Sequence, residues 1–438
     1  EVMLGSLMQR GYRPVENPEN ADLIVVNTCG FLQSAVQEGV EKILELSDFR
    51  TDGRCKQLVV AGCMVERYRE ELVTELPEVD RFISVDEILS VGTDEATSAD
   101  CLDKARRPYF LYDETMPRVL STGSHSAFIK IAEGCNRPCA FCIIPKLRGS
   151  LRSRQIESVV QEFETLAANG VREFNLVAQD LTAYGTDFPQ NRGIKSELPT
   201  LLKALDERAP TDTWIRLFYA YPVGTTDELL EQIIGSSSIC NYFDIPLQHI
   251  ASPVLKRMRR PLGAKGTRRL VEHTRATYPE LHLRTTFIVG FPGETEEDVA
   301  ELEAFIAAGH FTHVGVFTYS QEEEADSYSY SEQIDDSVKE ERKARLMQAQ
   351  QAVVAKRLES LVGSTQRVLV DGFHQETDLL LSARCAWQGP ETDGEVLINE
   401  LPESVAAESF RGTFVDVQIE ATAGYDLVAS FAESKRSS

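Results

Sequence analysis

The stretch Gly134-Cys135-Asn136-Arg137-Pro138-Cys139-Ala140-Phe141-Cys142 constrains this chain more than any other. Its three cysteines stand with three and then two residues between them, directly after an apolar, strand-like segment from Ala127 to Ala132. Such a triplet suits three irons of a 4Fe–4S cube. Cubes are usually held by four thiolates. Three would leave one iron open to a small chelating molecule, much as a catalytic zinc keeps an open position. Gly134 before the first cysteine and Phe141 before the last fit a tight loop wrapped on a cluster. The competing readings are three unrelated buried thiols or half of a zinc knuckle, and so tight a spacing favours the cluster.

A length of 438 residues predicts two or three domains. The start, Glu-Val-Met-Leu-Gly, opens in what reads as the middle of an element, so the natural N-terminus is expected upstream. No run approaches the length of a membrane span, and the start lacks the regions of a signal peptide. Nine cysteines in a chain this size are too sparse for a disulfide scaffold. Their clustering suits metal ligation in a reducing cytoplasm. The net charge of −24 argues against nonspecific polyanion binding and points to a basic partner.

Two early segments share one grammar. Leu23–Val26 is an apolar strand followed by Asn27-Thr28-Cys29-Gly30, and Leu58–Ala61 is followed by Gly62-Cys63. Between them, Ser34–Ser47 has helical spacing, with Val36, Val40, Ile43 and Leu44 on one face. Strand, helix, strand implies parallel pairing, which brings both carboxyl ends, and so Cys29 and Cys63, to the edge where open α/β sheets bind ligands. A further strand is expected over Asp80–Val85, and a linker from Ser90 to about Ser126.

From Ala127 the strand and helix alternation resumes. Strands are predicted at Phe128–Ala132, Glu173–Val177, Trp214–Phe218, Tyr242–Ile245, Leu283–Val289 and His313–Tyr319. Polar groups follow nearly every one: Gln179-Asp180, Tyr219-Ala-Tyr-Pro222, Gln248-His249, Gly290-Phe-Pro-Gly-Glu294 and Gln321-Glu322. Such βα units describe a partial TIM-type (β/α)6 barrel, with its site and the cysteine triplet at the C-terminal mouth. A long amphipathic helix over Ser331–Val362 precedes five short strands that suggest a small β-barrel. The fold class is therefore α/β: an open N-terminal cysteine domain (1–100), a linker (101–120), the partial barrel (121–362) and the small barrel (363–438).

With these parts assembled, the chain resembles the methylthiotransferases of the radical S-adenosylmethionine superfamily over essentially its whole length. The resemblance rests on Asn27–Gly30, Ala61–Cys63, Glu133–Arg154, Ile245–His249, Ile288–Glu294 and a terminal TRAM domain. It implies two 4Fe–4S clusters and S-adenosylmethionine as cofactors. Cys135, Cys139 and Cys142 would bind the catalytic cluster; Cys29 and Cys63 match two of three ligands of an auxiliary cluster. The family's third auxiliary position falls upstream of Glu1, and Cys55 does not match it. The segments Ile215–Pro222 and Ala178–Gly185 look like the RimO type, which modifies the β-carbon of an aspartate in small-subunit ribosomal protein uS12. Relatives of the MiaB type, which modify a tRNA adenosine, tend to have Ser-His-Pro at Ala220-Tyr221-Pro222. From Ser364 onward, thirteen acidic side chains face five basic ones, a poor clamp for RNA and a good one for a basic ribosomal protein. Nucleic acid is thus not expected as the modified substrate.

The implied mechanism is reductive cleavage of S-adenosylmethionine, with an electron from a flavodoxin or ferredoxin. Hydrogen abstraction from the aspartate follows, and then coupling to sulfur held at the auxiliary cluster. Gln179 and Asp180 are further candidates for binding cofactor or substrate. Gly290, Pro292 and Gly293 would let the backbone approach the adenosine, or simply form a tight strand-to-helix turn. Arg148, Arg152 and Arg154 would neutralise a carboxylate or form a solvated helix start. His249 reads as a packed or capping residue. A rival of another class is a non-catalytic iron–sulfur scaffold that binds the ribosome.

Overall fold

The structure is a computed structural model that describes residues 1–93, 110–191, 193–400 and 407–432. Strands β1 (Leu23–Thr28), β2 (Gln57–Gly62) and β3 (Arg81–Ile83) form a parallel sheet in that order. The predicted helix lies between the first two, at Gln33–Ser47, and buries Val36 and Ile43. Ile24, Val26, Leu58 and Val60 pack beneath it.

The central unit is an open, parallel, six-stranded sheet. β4 (Ser126–Lys130) leads into a short antiparallel pair, β5 (Ala132–Glu133) with β6 (Arg152–Ser153), which brackets the cysteine loop. The sheet continues with β7 (Glu173–Val177), β8 (Trp214–Leu217), β9 (Ile239–Asp244), β10 (His282–Val289) and β11 (His313–Thr318), in spatial order β4, β7, β8, β9, β10, β11. Every strand predicted from Ala127 onward is present, with ends shifted by up to three residues. Alternate side chains such as Ile129, Leu176, Leu217, Leu283 and Phe287 face the helices and form the largest core. The opposite, concave face carries Phe128, Val177, Trp214, Phe218 and Tyr242.

β12 (Thr365–His374), β13 (Thr377–Cys385), β14 (Val396–Glu400), β15 (Phe414–Ala423) and β16 (Asp426–Phe431) close a small barrel around Val368, Leu381, Ile398 and Val417. The barrel sits against the lower part of the concave face, where Leu369, Ala386 and Phe414 join the aromatic cluster there. An ion network fixes it. Arg384 grips both carboxylate oxygens of Glu173, at 2.8 Å each, and also Asp371 at 2.7 Å. Arg216, wholly buried, approaches the same Glu173 at 3.1 Å. Burial would raise the Glu173 carboxyl, but the two guanidiniums and Ser126 hold it well below the ordinary value.

Part of the predicted linker, 94–109, lies outside the described residues. The remainder is firmly packed rather than loose. Arg118 pairs with Glu1 at 2.6 Å and with Glu162 at 2.5 Å, and the Tyr112 hydroxyl accepts from Lys130 N at 2.7 Å. Long-range polar pairs of this kind leave no periodicity to read.

Candidate active site

Glycine is required where the cysteine loop leaves β5. Gly134 has φ of +83°, and a Cβ there would meet the Ser150 carbonyl oxygen at 2.2 Å. Cys135 N donates to the Gly149 carbonyl at 3.1 Å, and the Asn136 side chain accepts from Leu151 N at 3.1 Å. On its far side the loop is tied to the end of helix Ser252–Arg257, through Ala140 N to the Met258 carbonyl at 3.1 Å. The three thiols are half-buried and line one cavity of about 160 Å³ with Gln179, Tyr221 and Arg260. Burial pushes the Cys142 thiol up to about 12 and raises Cys135 as well. Protons on such thiols are displaced when a metal binds, because a coordinating thiol is deprotonated outright.

The cavity wall has unmet valences. The side-chain carbonyl oxygens of Gln179 and Gln248 are buried without a hydrogen-bond partner. Both residues line the cavity, and orphaned acceptors of this kind call for a donor from elsewhere. Backbone strain gathers here too. Tyr219 (φ 66°) and Gln248 (φ 75°) line the cavity, and Arg259 (φ 57°) precedes Arg260. Left-handed, non-glycine positions persist only where the surroundings over-determine them, and they collect at functional sites.

The cysteine pair is tied by one arginine to the helix that follows the triplet. Thr28 pairs with Gly62 across β1 and β2, so Cys29 and Cys63 leave the sheet side by side. A Cβ on Gly30 would stand 2.5 Å from the Cys63 carbonyl oxygen, which forces this close passage to use glycine. Arg148, at the end of the short helix after Cys142, donates from Nη2 to Cys63 Sγ at 2.8 Å and lies 3.6 Å from Glu133. Burial raises the Cys63 thiol; Arg148 opposes that and Cys29 adds to it. A buried carboxylate behind β11 fastens this unit over the mouth. Glu322 accepts from Gln33 N at 3.0 Å and from Arg67 Nη1 at 2.8 Å, and Arg67 also donates to the Gly30 carbonyl at 3.0 Å.

The structure gathers Cys135, Cys139, Cys142 and Gln179 around one cavity, and bonds Cys63 to Arg148 on the helix that follows Cys142. Asp180 sits behind the wall, almost fully buried, bonded to Arg137 Nε at 2.7 Å and to the Thr182 hydroxyl at 2.6 Å. Gly290, Pro292 and Gly293 do not line the cysteine cavity. Their turn packs beside the cysteine loop, where Phe291 shares a cluster with Phe141 and Met258. Gly290 N donates to Glu294 at 2.9 Å and Gly293 packs on Arg257, the form of a tight strand-to-helix turn. His249 accepts from Ala251 N at 3.0 Å, a packed cap. The three arginines part company. Only Arg148 reaches a thiol, while Arg154 is buried in a pair with Glu162. Tyr221, Arg260 and the orphaned acceptor on Gln248 were not among the sequence candidates. Their only signal was position after a strand, and Arg260 lacked even that.

Among the described residues, no three ligating side chains converge on a point fit for a single ion. A cube spreads its thiolates over three irons, so it does not need that convergence. Three thiols on one loop, lining a cavity with orphaned polar groups, fit a cluster with an open corner.

Comparisons with known proteins agree along the chain. The family model of the radical SAM superfamily matches residues 129–306, that of the uncharacterized protein family UPF0004 matches 1–84, and that of the TRAM domain matches 362–431. The ribosomal protein uS12 methylthiotransferase RimO of Syntrophotalea carbinolica is 44% identical over 99% of this chain and 93% of its own length. The protein of the same name from Geobacter sulfurreducens is 42% identical over 98% and 94%. Among solved structures, the radical S-adenosylmethionine methyltransferase TsrM from Kitasatospora setae aligns with a TM-score of 0.48 and 14% identity, covering 84% of this chain and 70% of that one.

Proposed function

The chain belongs to the uS12 methylthiotransferase family RimO, and from that premise we propose that it adds a methylthio group to the β-carbon of an aspartate in ribosomal protein uS12. It is a radical S-adenosylmethionine enzyme whose cofactors are two 4Fe–4S clusters and S-adenosylmethionine. Cys135, Cys139 and Cys142 would hold the catalytic cluster, and Cys29 with Cys63 would supply two ligands of the auxiliary one. When bound, these groups supply a radical able to take hydrogen from an unactivated carbon, and the sulfur that replaces it. The same reading divides the chain into an auxiliary-cluster domain (1–100), a linker (101–120), a radical core (121–362) and a TRAM domain (363–438).

The protein's own residues position and shield. Gln179 and Gln248 offer acceptors to donors on the molecule that enters the cavity. Arg148, on the helix after Cys142, binds Cys63, and the Glu322–Arg67 pair holds the N-terminal unit over the mouth, where it excludes water. The observation that carries the reading is this juxtaposition: a cavity lined by three thiols, and a second thiol pair held by an arginine from the helix that follows them. A flavodoxin or ferredoxin is the proposed electron donor and the cytoplasm the proposed location. No helix among the described residues is long and apolar enough to cross a membrane.

Anaerobic reconstitution with iron and sulfide tests this. Adding reductant, S-adenosylmethionine and uS12 should yield 5′-deoxyadenosine and a uS12 peptide carrying a methylthio group. A methylthio group on tRNA but none on uS12 would overturn the substrate. Cluster without 5′-deoxyadenosine would favour the scaffold reading.

A further inference from the structure

Two guanidiniums pack on the Tyr221 ring. The Arg137 carbon Cζ stands 4.3 Å from its ring centroid and that of Arg260 stands 4.1 Å away. A ring whose face is negative attracts both cations. The two cations are not equivalent. Arg137 is neutralised by Asp180, at 2.7 Å. Arg260 is only 8% exposed, and among the described residues no carboxylate lies within ion-pair distance of it. Its Nη2 donates to the Pro246 carbonyl at 2.7 Å, and its Nη1 points at Cys139 Sγ from 3.5 Å. The Tyr221 hydroxyl reaches the same sulfur at 4.0 Å.

The backbone is strained to deliver this arginine. Helix Ser252–Arg257 ends with Arg259 in the left-handed region, and Arg260 N folds back to the Leu255 carbonyl at 2.9 Å. That closure is the usual helix stop, normally made with glycine. Here an arginine occupies the position and the next residue is aimed into the cavity. A buried cation without an acidic partner is costly, so an anion is expected against it. Among the described residues, the Cys139 sulfur, once it carries no proton, is the anionic atom within hydrogen-bond reach of Arg260.

We propose that Arg260 and Tyr221 are positioning residues that act through Cys139: both donate to its metal-bound thiolate and so raise the reduction potential of the catalytic cluster. This rests on the functional reading above, since it presumes a cluster on Cys139. A ligating thiolate is acceptor only, so both groups must donate. Reduction adds one electron to the cluster, and donors and positive charge at a ligand sulfur stabilise the more negative state. Cys135 and Cys142 have no side-chain donor of this kind among the described hydrogen bonds, so the hydrogen bonds fall on a single ligand.

The test is an EPR-monitored redox titration of reconstituted full-length protein without substrate. A Cys29→Ala/Cys63→Ala background isolates the catalytic cluster. Arg260→Met should lower the reduced-to-oxidised ratio at fixed poise about tenfold, equivalent to 59 mV for one electron. Tyr221→Phe should move it the same way by less, and Arg260→Lys should recover part of the loss. If Arg260→Met fails to take up iron, Tyr221→Phe against the parent decides alone. Equal midpoints in parent and loaded variants would overturn this proposal and leave the functional reading standing. A parent that binds no reducible cluster would fail that reading and bring this one down with it.

Discussion

The concave face of the barrel carries two polar clusters built on opposite terms. Beneath the TRAM barrel, two carboxylates (Glu173, Asp371) meet two guanidiniums (Arg216, Arg384), and every carboxylate oxygen has a partner. At the mouth, Arg260 has no carboxylate, two amide oxygens are orphaned, and two left-handed residues, Tyr219 and Gln248, line one cavity. Buried polar networks that close on themselves specify how parts dock. Orphaned acceptors such as Gln179 and Gln248 await a donor that the chain does not contain. Burial alone does not distinguish the two; the pairing of the charged groups does.

The hardest way to break this contrast uses thiols from both regions. Cys135→Ala, Cys139→Ala or Cys142→Ala should abolish 5′-deoxyadenosine and methylthio product and lower bound iron. Cys240→Ala, at a thiol buried beside Arg216, should leave both unchanged. Iron analysis and mass spectrometry read the outcome. Loss of iron in Cys240→Ala would mean that the lower cluster is not purely structural.

Next in size is the docking network. Arg384→Met removes the shared partner of Glu173 and Asp371 and should destabilise the TRAM interface by about 3 kcal/mol, the lower end for breaking a buried ion pair, because Arg216 still pairs with Glu173. Hydrogen exchange over residues 365–374 measures it. The pH dependence follows from sign. Glu173 and Asp371 both titrate lower in the fold than their ordinary values of 4.5 and 3.8. Their contribution is therefore complete above those values and is lost as pH falls through the depressed folded ones. The TRAM barrel should hold at neutral pH and loosen in acid, and Glu173→Gln should flatten that dependence.

The closed network and the open site were not equally readable. The strand and helix alternation from Ala127 onward was legible because a parallel sheet with one helix-covered face imprints apolar runs between polar strand ends. The triplet and the Cys29/Cys63 pairing were legible for a local reason, since their neighbours in space are near neighbours in sequence or follow parallel strands. The Glu173–Arg384 pair spans 211 residues, and nothing near either residue announces it. Arg260 was equally silent: it ends a run of basic residues (Lys256, Arg257, Arg259, Arg260) that reads as a solvated helix end. The Gly290–Glu294 turn is ambiguous in sequence, because glycine and proline mark a tight turn whether or not a ligand is near.

A smaller effect is expected at the latch between mouth and cap. Glu322 is 2% exposed and receives a charged hydrogen bond from Arg67. Glu322→Gln keeps the shape and should weaken the contact by about 1.5–3 kcal/mol, the range for hydrogen bonds to charged groups. Looser docking should raise hydrogen exchange over residues 29–36 in the metal-free protein. In the loaded enzyme it should lower methylthio product per 5′-deoxyadenosine formed, while cleavage itself continues. An unchanged ratio would show that the cap does not depend on this pair.

The smallest effect has the opposite sign. Arg259 takes the left-handed conformation that costs an ordinary residue roughly 1–2 kcal/mol. Its ion pair with Asp326 is exposed on both sides and adds little. Arg259→Gly removes the strain but gives the unfolded chain more freedom, so the net gain should be below about 1 kcal/mol. No such gain is available beneath the TRAM barrel, where Glu173, Arg216, Asp371 and Arg384 all have φ outside the left-handed region. The freed backbone should also hold Arg260 less firmly against Cys139. A variant that melts slightly higher, yet whose catalytic cluster is harder to reduce, would show that the mouth gives up stability to aim one side chain. A variant unchanged in both would place that strain outside the site's design.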